Sequence, residues 1–383
     1  MDDLPIGRRV AYWRGQRNMS QQVFADRLGR SKSWVDKVER GVRSLDKVST
    51  IREIAAVLRI DPDVLIVRDT AEAEPAAGGV DSVRDALTRH PALLPAPDTL
   101  TEPAFYQARI AHAASAYEHG GYPELLRRIP RLLVDGHRLP ADAPEPLVQA
   151  YRLTAQLLVK LGAAELAWLA ADRALAVAGD DPVLAATAAV PLGQALRTAG
   201  RCRAAFETTV IAAHQVAPLP PDEGTAAERA ACAAALVQAA LAAAGAGDRS
   251  AVDDMLVDAA EVTTPGGPER AAVDAARVTA AVMLGDGHRA VELHEAFVGG
   301  LAWRQLPPEH RAAHLVDVAG AYVHSGDPVG AGGALLQADR LVPAEVRMRP
   351  AGRTALGLAL AGILRPDRHL LVLAQAARVG GGR

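Results

Sequence analysis

Large rings are scarce in this chain: aromatic residues make up 4% of 383, while half of all residues are apolar and alanine occurs in long runs. A core without rings must be assembled from many small contacts, as closely packed helices do, so an all-helical protein is expected. Cysteine is nearly absent. Cys202 and Cys232 show no CxxC spacing and no paired framework, so they read as small buried residues of a reducing compartment. A long, strongly apolar run is missing too. The longest uncharged stretch, 18 residues between Arg229 and Asp248, is mostly alanine with Gln238, Gly245 and Gly247 in it, too weakly apolar to enter a membrane. The N-terminal MDDLPIGRRV has no apolar signal region, and a soluble cytoplasmic protein with no membrane partner is expected.

A large net charge is also lacking, but the value of −3 conceals a split. Residues 1–68 carry 14 Lys/Arg against 9 Asp/Glu, a net +5, and the remaining 315 residues carry 28 against 36, a net −8. A basic head on an acidic body implies that only the head meets a polyanion.

The head reads as five short helices: Ile6 to Arg17, Ser20 to Leu28, Ser31 to Arg40, Val48 to Leu58 and Asp63 to Val67. Ser20 and Ser31 stand where helix N-caps belong, and Gly29 and Gly41 where helices stop. Residues 69–80, DTAEAEPAAGGV, combine acidic, Ala, Pro and Gly residues without an apolar period and read as a linker. From 81 to 383 the pattern is helix, glycine turn, helix. Gly120, Gly162, Gly200, Gly247, Gly285 and Gly326 are spaced by 42, 38, 47, 38 and 41 residues, and a period near 40 with paired helices implies a helical solenoid. Small residues recur at the same offsets after the turns: Ala167 and Ala174, Ala205 and Ala212, Ala331 and Ala338. Pro191 falls inside a first helix and is expected to kink it. The pattern over residues 104–342 resembles the tetratricopeptide (TPR) repeat, although the usual large aromatics are mostly missing and the units begun by Gly247 and Gly285 fit less well.

Within the head, Gln21 to Gly41 has the spacing of a helix-turn-helix. Ala25 is small where two helices cross, Gly29 supplies the turn, and Val35 and Val38 seat the second helix on the core. The series Ser20-Gln21, Ala25, Gly29, Ser31, Val35 and Glu39-Arg40-Gly41 resembles the Xre family of regulators, also called lambda and 434 repressor-like. That resemblance implies a helix-turn-helix DNA-binding domain at 1–68 whose third helix reads base edges. Lys32, Ser33, Trp34, Asp36 and Lys37 then face the groove: Lys can donate to guanine, Ser to several bases, and Asp36 can accept from cytosine. Trp34 either packs on sugar or a thymine methyl or covers the edge of the core. Gln21 and Ser31, with Arg40, Arg43 and Lys47, are placed to meet phosphate, the alternative for the basic residues being solvated surface charge. The resemblance further implies an ion pair between Arg14 and Glu39 with a structural role.

On the body, the inward positions of the best-formed unit are Gln149, Arg152, Gln156 and Lys160, followed by Gln194 and Arg197 in the next. Their amide and guanidinium groups either clamp an effector or are the ordinary polar surface of a solenoid. Regulators joining an Xre-type head to TPR-like repeats include sensors of secreted peptides in Gram-positive bacteria, and the Ala- and Arg-rich, Lys-poor composition resembles actinobacterial proteins. Together these readings imply a transcriptional regulator that binds double-stranded DNA at a palindromic operator as a homodimer and responds to a peptide or small-molecule effector. The alternative is an interaction scaffold whose head is a docking module. No cofactor, metal or enzymatic activity is expected. His310 and His314 are four apart on a helix, but no acidic residue completes a metal motif and a solvated or capping role is expected of them. The glycine-rich GDPVGAGGAL at 326–335 lacks the Lys-Ser/Thr of a phosphate loop and reads as a tight helix-packing surface.

Overall fold

A computed structural model describes residues 6–17, 19–40, 48–58, 75–90, 93, 100–140, 142–218, 220 and 223–379. The chain divides into two compact units, Met1–Glu74 and Pro75–Arg383. Among the described residues every regular element is a helix and no strand is present.

The head contains α1 (Ile6–Gln16), α2 (Gln21–Arg27), α3 (Lys32–Glu39) and α4 (Val48–Leu58). The helix expected at 63–67 lies outside the described residues. Ser20 caps α2 by accepting from the Val23 N–H at 3.2 Å, and Ser31 caps α3 by accepting from the Trp34 N–H at 3.1 Å. Between them Gly29 adopts φ +62°, a conformation that costs any other residue about 1–2 kcal/mol. The turn brings Phe24 and Ala25 of α2 against Val35 and Val38 of α3, all buried, with Val10, Ile54, Ala55 and Leu58 closing the core from α1 and α4.

Gly7 sets how closely α1 crosses α3. A Cβ on Gly7 would lie inside the van der Waals radius of the Val38 carbonyl oxygen, a backbone atom with nowhere to go. Gly7→Ala is therefore expected to destabilise the head by about 1–3 kcal/mol, read as a lower denaturation midpoint with the array transition unchanged. An unchanged midpoint would show that α1 can back away from α3.

The second unit opens with α5 (Pro75–Thr88) and continues in helical hairpins. The successive pairs are α6 (Pro103–Glu118) with α7 (Tyr122–Gly136), α8 (Glu145–Lys160) with α9 (Ala164–Ala178), and α10 (Pro182–Thr198) with α11 (Cys202–Val216). They are followed by α12 (Ala226–Ala246) with α13 (Arg249–Glu261), and α14 (Pro268–Met283) with α15 (Gly287–Val298). After the short α16 (Leu301–Gln305) come α17 (Pro308–His324) with α18 (Pro328–Leu341), the short α19 (Pro343–Arg347), and α20 (Pro350–Gly362) with α21 (Arg368–Ala376).

The local chemistry of each hairpin is legible. The six turn glycines have φ between +74° and +82°. After three of them an aspartate follows, and Asp248, Asp286 and Asp327 cap the second helix by accepting from the N–H of Ala251, Arg289 and Gly330. Proline opens most first helices, where its missing N–H costs nothing. Ala167, Ala174, Ala205, Ala212, Ala331 and Ala338 are all buried where neighbouring helices meet. Gly332 of the glycine-rich stretch lies against Leu370 of α21, so that stretch does pack helix on helix. α10 runs unbroken through Pro191.

Residues 75–80, expected to be linker, form the first turns of α5. Of the two glycines that suggested flexibility, Gly78 is exposed while Gly79 allows close packing: a Cβ on Gly79 would stand 2.9 Å from Leu126 Cβ, and Val83 and Leu87 are fully buried. The alanine-rich α12 is the one described helix long and apolar enough to cross a membrane, and 67% of its most apolar stretch is buried inside the array. It packs on α10, α11, α13 and α14 as a core helix.

The first helices of the hairpins form an inner wall in which each packs on the next, and α17 also packs on α6. The array thus returns on itself. Its closure is ionic: Glu345 of α19, with no exposed surface, accepts from the Tyr122 hydroxyl and lies 3.0 Å from Lys160 Nζ and 3.3 Å from Arg349 Nη1. Lys160 also pairs with Glu309, and Arg349 Nη2 with Asp317 Oδ1 at 2.9 Å.

Candidate functional site

In the head, the third helix leaves Lys32, Ser33 and Lys37 exposed, while Trp34 and Asp36 are half-buried. Trp34 packs on the edge of the core and carries the Arg30 guanidinium over its ring at 5.6 Å. Asp36 Oδ2 lies 3.5 Å from Arg40 Nη1, an exposed pair of little energetic weight. The Ser31 hydroxyl is occupied by its cap. Gln21 turns its amide inward and donates to Glu39 Oε2 at 2.8 Å. Glu39 in turn receives Arg14 Nε at 2.6 Å and Nη2 at 3.1 Å, and Arg14 Nη1 donates to the Met19 carbonyl at 2.6 Å. This buried knot ties α1, α2 and α3 together, as expected of the Arg14–Glu39 pair. Arg43 and Lys47 lie outside the described residues.

In the array, the inner helices line a cavity of about 470 Å³, within the range of small-ligand sites. Gln156, Lys160, Gln194 and Arg197 line it. Gln149 and Arg152 are not among its lining residues: the Gln149 amide donates to Glu145 Oε1 on its own helix at 3.0 Å, and the Arg152 Nε is buried without a partner. The opposite wall comes from residues far along the chain, including Gln238, Thr279, Glu309, Asp317 and Arg349. None of these was identified from the sequence, because a 40-residue period does not say that the array closes. The one hint is Lys160, the only lysine after Lys47 in an arginine-rich chain.

The electrostatics follow from burial. For Glu345, burial favours the neutral acid, but Lys160 and Arg349 outweigh it and hold the carboxyl below its ordinary value. For Lys160, burial is outweighed by Glu309 and Glu345, which raise it, so the ion cluster stays charged. Burial raises the Tyr122 hydroxyl well above its ordinary value, and it remains a donor.

The solvated or capping role expected of His310 and His314 does not hold. His310 lines the cavity and burial lowers its pKa; His314 is 2% exposed, and its Nε2 lies 3.0 Å from His294 Nδ1 within a ring cluster that includes Phe297 and Trp303. Burial, with His294 and His310 adding to it, pushes His314 down to about 3. The cause is topological: α17 is an inner helix packed on several sides. Among the described residues no group of three or more His, Cys, Asp or Glu is placed to hold a metal.

The chain has no match among curated proteins. Two solved structures are similar at low level. PlcR of Bacillus thuringiensis, in complex with the peptide PapR7 and DNA, shares 10% identity over 88% of this chain and 94% of its own, with a TM-score of 0.28. PrgX in its complex with iCF10 shares 9% over 98% and 96%, with a TM-score of 0.29. Likeness at that level leaves the reading to this chain's own residues. A family model described as a helix-turn-helix domain matches residues 5–65. By that match and by the capped helices on either side of Gly29, the head is a helix-turn-helix domain.

Proposed function

We propose that this protein is a cytoplasmic, sequence-specific DNA-binding transcriptional regulator that acts as a homodimer on a palindromic operator and whose helical array takes a peptide or small-molecule effector. The observation that carries this reading is α3 itself: a helix capped by Ser31, seated by Val35 and Val38, and presenting Lys32, Ser33 and Lys37 outward from a basic unit. In this motif class the second helix enters the major groove by its N-terminal residues. Lys32, Ser33, Trp34, Asp36 and Lys37 are the proposed base-reading set; Arg40, Arg43 and Lys47 are the proposed phosphate set, with Gln21 and Ser31 contributing through the backbone N–H groups at the starts of α2 and α3, since their side chains are held by Glu39 and by the cap. An effector that binds one shape of the array better than another shifts operator affinity by that difference and no more.

Selection of bound duplexes from a random pool, at stated salt because phosphate contacts make affinity salt-dependent, tests the reading. An enriched inverted repeat is the expected result. Lys32→Ala together with Lys37→Ala is expected to flatten sequence preference, with each lost base contact weakening the preferred site by about 1–3 kcal/mol while the head stays folded. No enrichment by wild type would favour the docking-module alternative instead.

A further inference from the structure

Three arginines of the inner helices, Arg152, Arg197 and Arg311, keep a buried Nε without a partner, and of the three Arg197 lines the cavity. Arg197 Nη2 donates to Gln238 Oε1 at 3.3 Å, Nη1 faces the Met283 thioether at 3.6 Å, and Nε is buried with no partner. Arg152 lies one helical turn before Gln156 on α8, on the same inward stripe; its Nε is buried and unpartnered, and burial alone pushes the group down to about 10. All three orphaned atoms are donors, so what is missing beside each is an acceptor. Charge points the same way. Lys160 and Arg349 are held by Glu309, Asp317 and Glu345, which leaves Arg197 as the cavity-lining cation without an ion pair among the described residues. A buried charge without a partner is costly, and a ligand carrying one negative charge would relieve it. Val237, Leu241, Ala272 and Ala276 give the same cavity an apolar wall.

We propose that the cavity between the inner helices binds a compact organic monocarboxylate, its carboxylate in the fork of Arg197 and its apolar body against Val237, Leu241 and Ala276. The proposal rests on the effector-binding reading of the array and narrows that effector to a small free acid, because a cavity of about 470 Å³ takes a compact molecule better than an extended chain. A guanidinium fork matches carboxylate geometry, and the carboxylates already lining the cavity disfavour a dianion.

The test uses the full chain. Calorimetric titration and thermal shift are run with benzoate, phenylacetate and hexanoate, and with benzamide and inorganic phosphate as the neutral and dianionic counterparts. At least one acid is expected to bind and raise the melting temperature, while benzamide and phosphate do not. Arg197→Gln is expected to weaken acid binding at least about tenfold, the worth of one charge-assisted hydrogen bond. Should that variant fold poorly, Arg197→Lys serves: it keeps the charge and loses the planar fork, and is expected to weaken the acid while the melting temperature of the unliganded protein changes little. No binding by any of the three acids, equal binding of benzoate and benzamide, or undiminished binding by both variants would overturn the proposal. An enriched operator without acid binding sinks this inference alone, and acid binding without an enriched operator sinks the DNA-binding reading alone.

Discussion

Glu39→Ala is expected to unfold the head. Glu39 is 5% exposed and takes both Arg14 contacts as well as the Gln21 amide. Alanine leaves the Arg14 guanidinium half-buried with only the Met19 carbonyl as partner. Breaking a buried pair by removing one member costs about 3–5 kcal/mol, because the surviving charge has lost its compensation. A small domain holds roughly 5–15 kcal/mol in all, so the loss is a large fraction of what keeps α1, α2 and α3 together. Hydrogen exchange on the full chain reads it directly: amides of α1 to α4 should lose protection while those of the array do not. Glu39→Gln, which still accepts from Arg14, should lose much less. If Glu39→Ala leaves protection in the head intact, the knot contributes little and the packing of Phe24, Val35 and Val38 holds the unit alone.

Glu345→Ala carries the largest effect expected in the array. Glu345 gathers Tyr122, Lys160 and Arg349 at the point where the end of the array meets its beginning. Removing it takes an acceptor from the Tyr122 hydroxyl, Lys160 and Arg349 at once, and leaves Lys160 with Glu309 alone and Arg349 with Asp317. The expected cost is again about 3–5 kcal/mol, which in a unit of this size lowers the melting temperature by roughly 6–20 °C. The pH dependence has a definite sign. Burial pushes the Glu345 carboxyl up, Lys160 and Arg349 pull it down and prevail, so the folded value lies below the unfolded one. The stabilisation is complete above the unfolded value of about 4.3 and is lost as pH falls through the folded value. Wild type should therefore lose melting temperature on the acid side more steeply than Glu345→Ala. Equal slopes would mean that the carboxyl does not titrate with unfolding.

The fold was legible wherever a single residue type does one local job. Gly29 and the six turn glycines hold positive φ, Ser20 and Ser31 cap, and the paired alanines are buried. Those positions depend on backbone conformation and near neighbours, which a sequence pattern carries. The same local reading failed at residues 75–80, where glycine signified close packing and not a linker, and at His314, where two histidines on one helix turn gave no sign that the helix is an inner wall.

By itself the sequence determined the helical class, the glycine-punctuated hairpins, the basic head and the exposed face of its third helix, because each follows from interactions within one or two turns of chain. Only the tertiary structure decided that the array closes on itself, that Lys160 is held by Glu309 and Glu345 while Arg197 keeps an unpartnered nitrogen, and that residues of α8 and α10 share a cavity with residues of α17 and α20. The physical reason is that curvature is a small rotation repeated at every hairpin. No single residue encodes it, and its sum determines which distant charges meet.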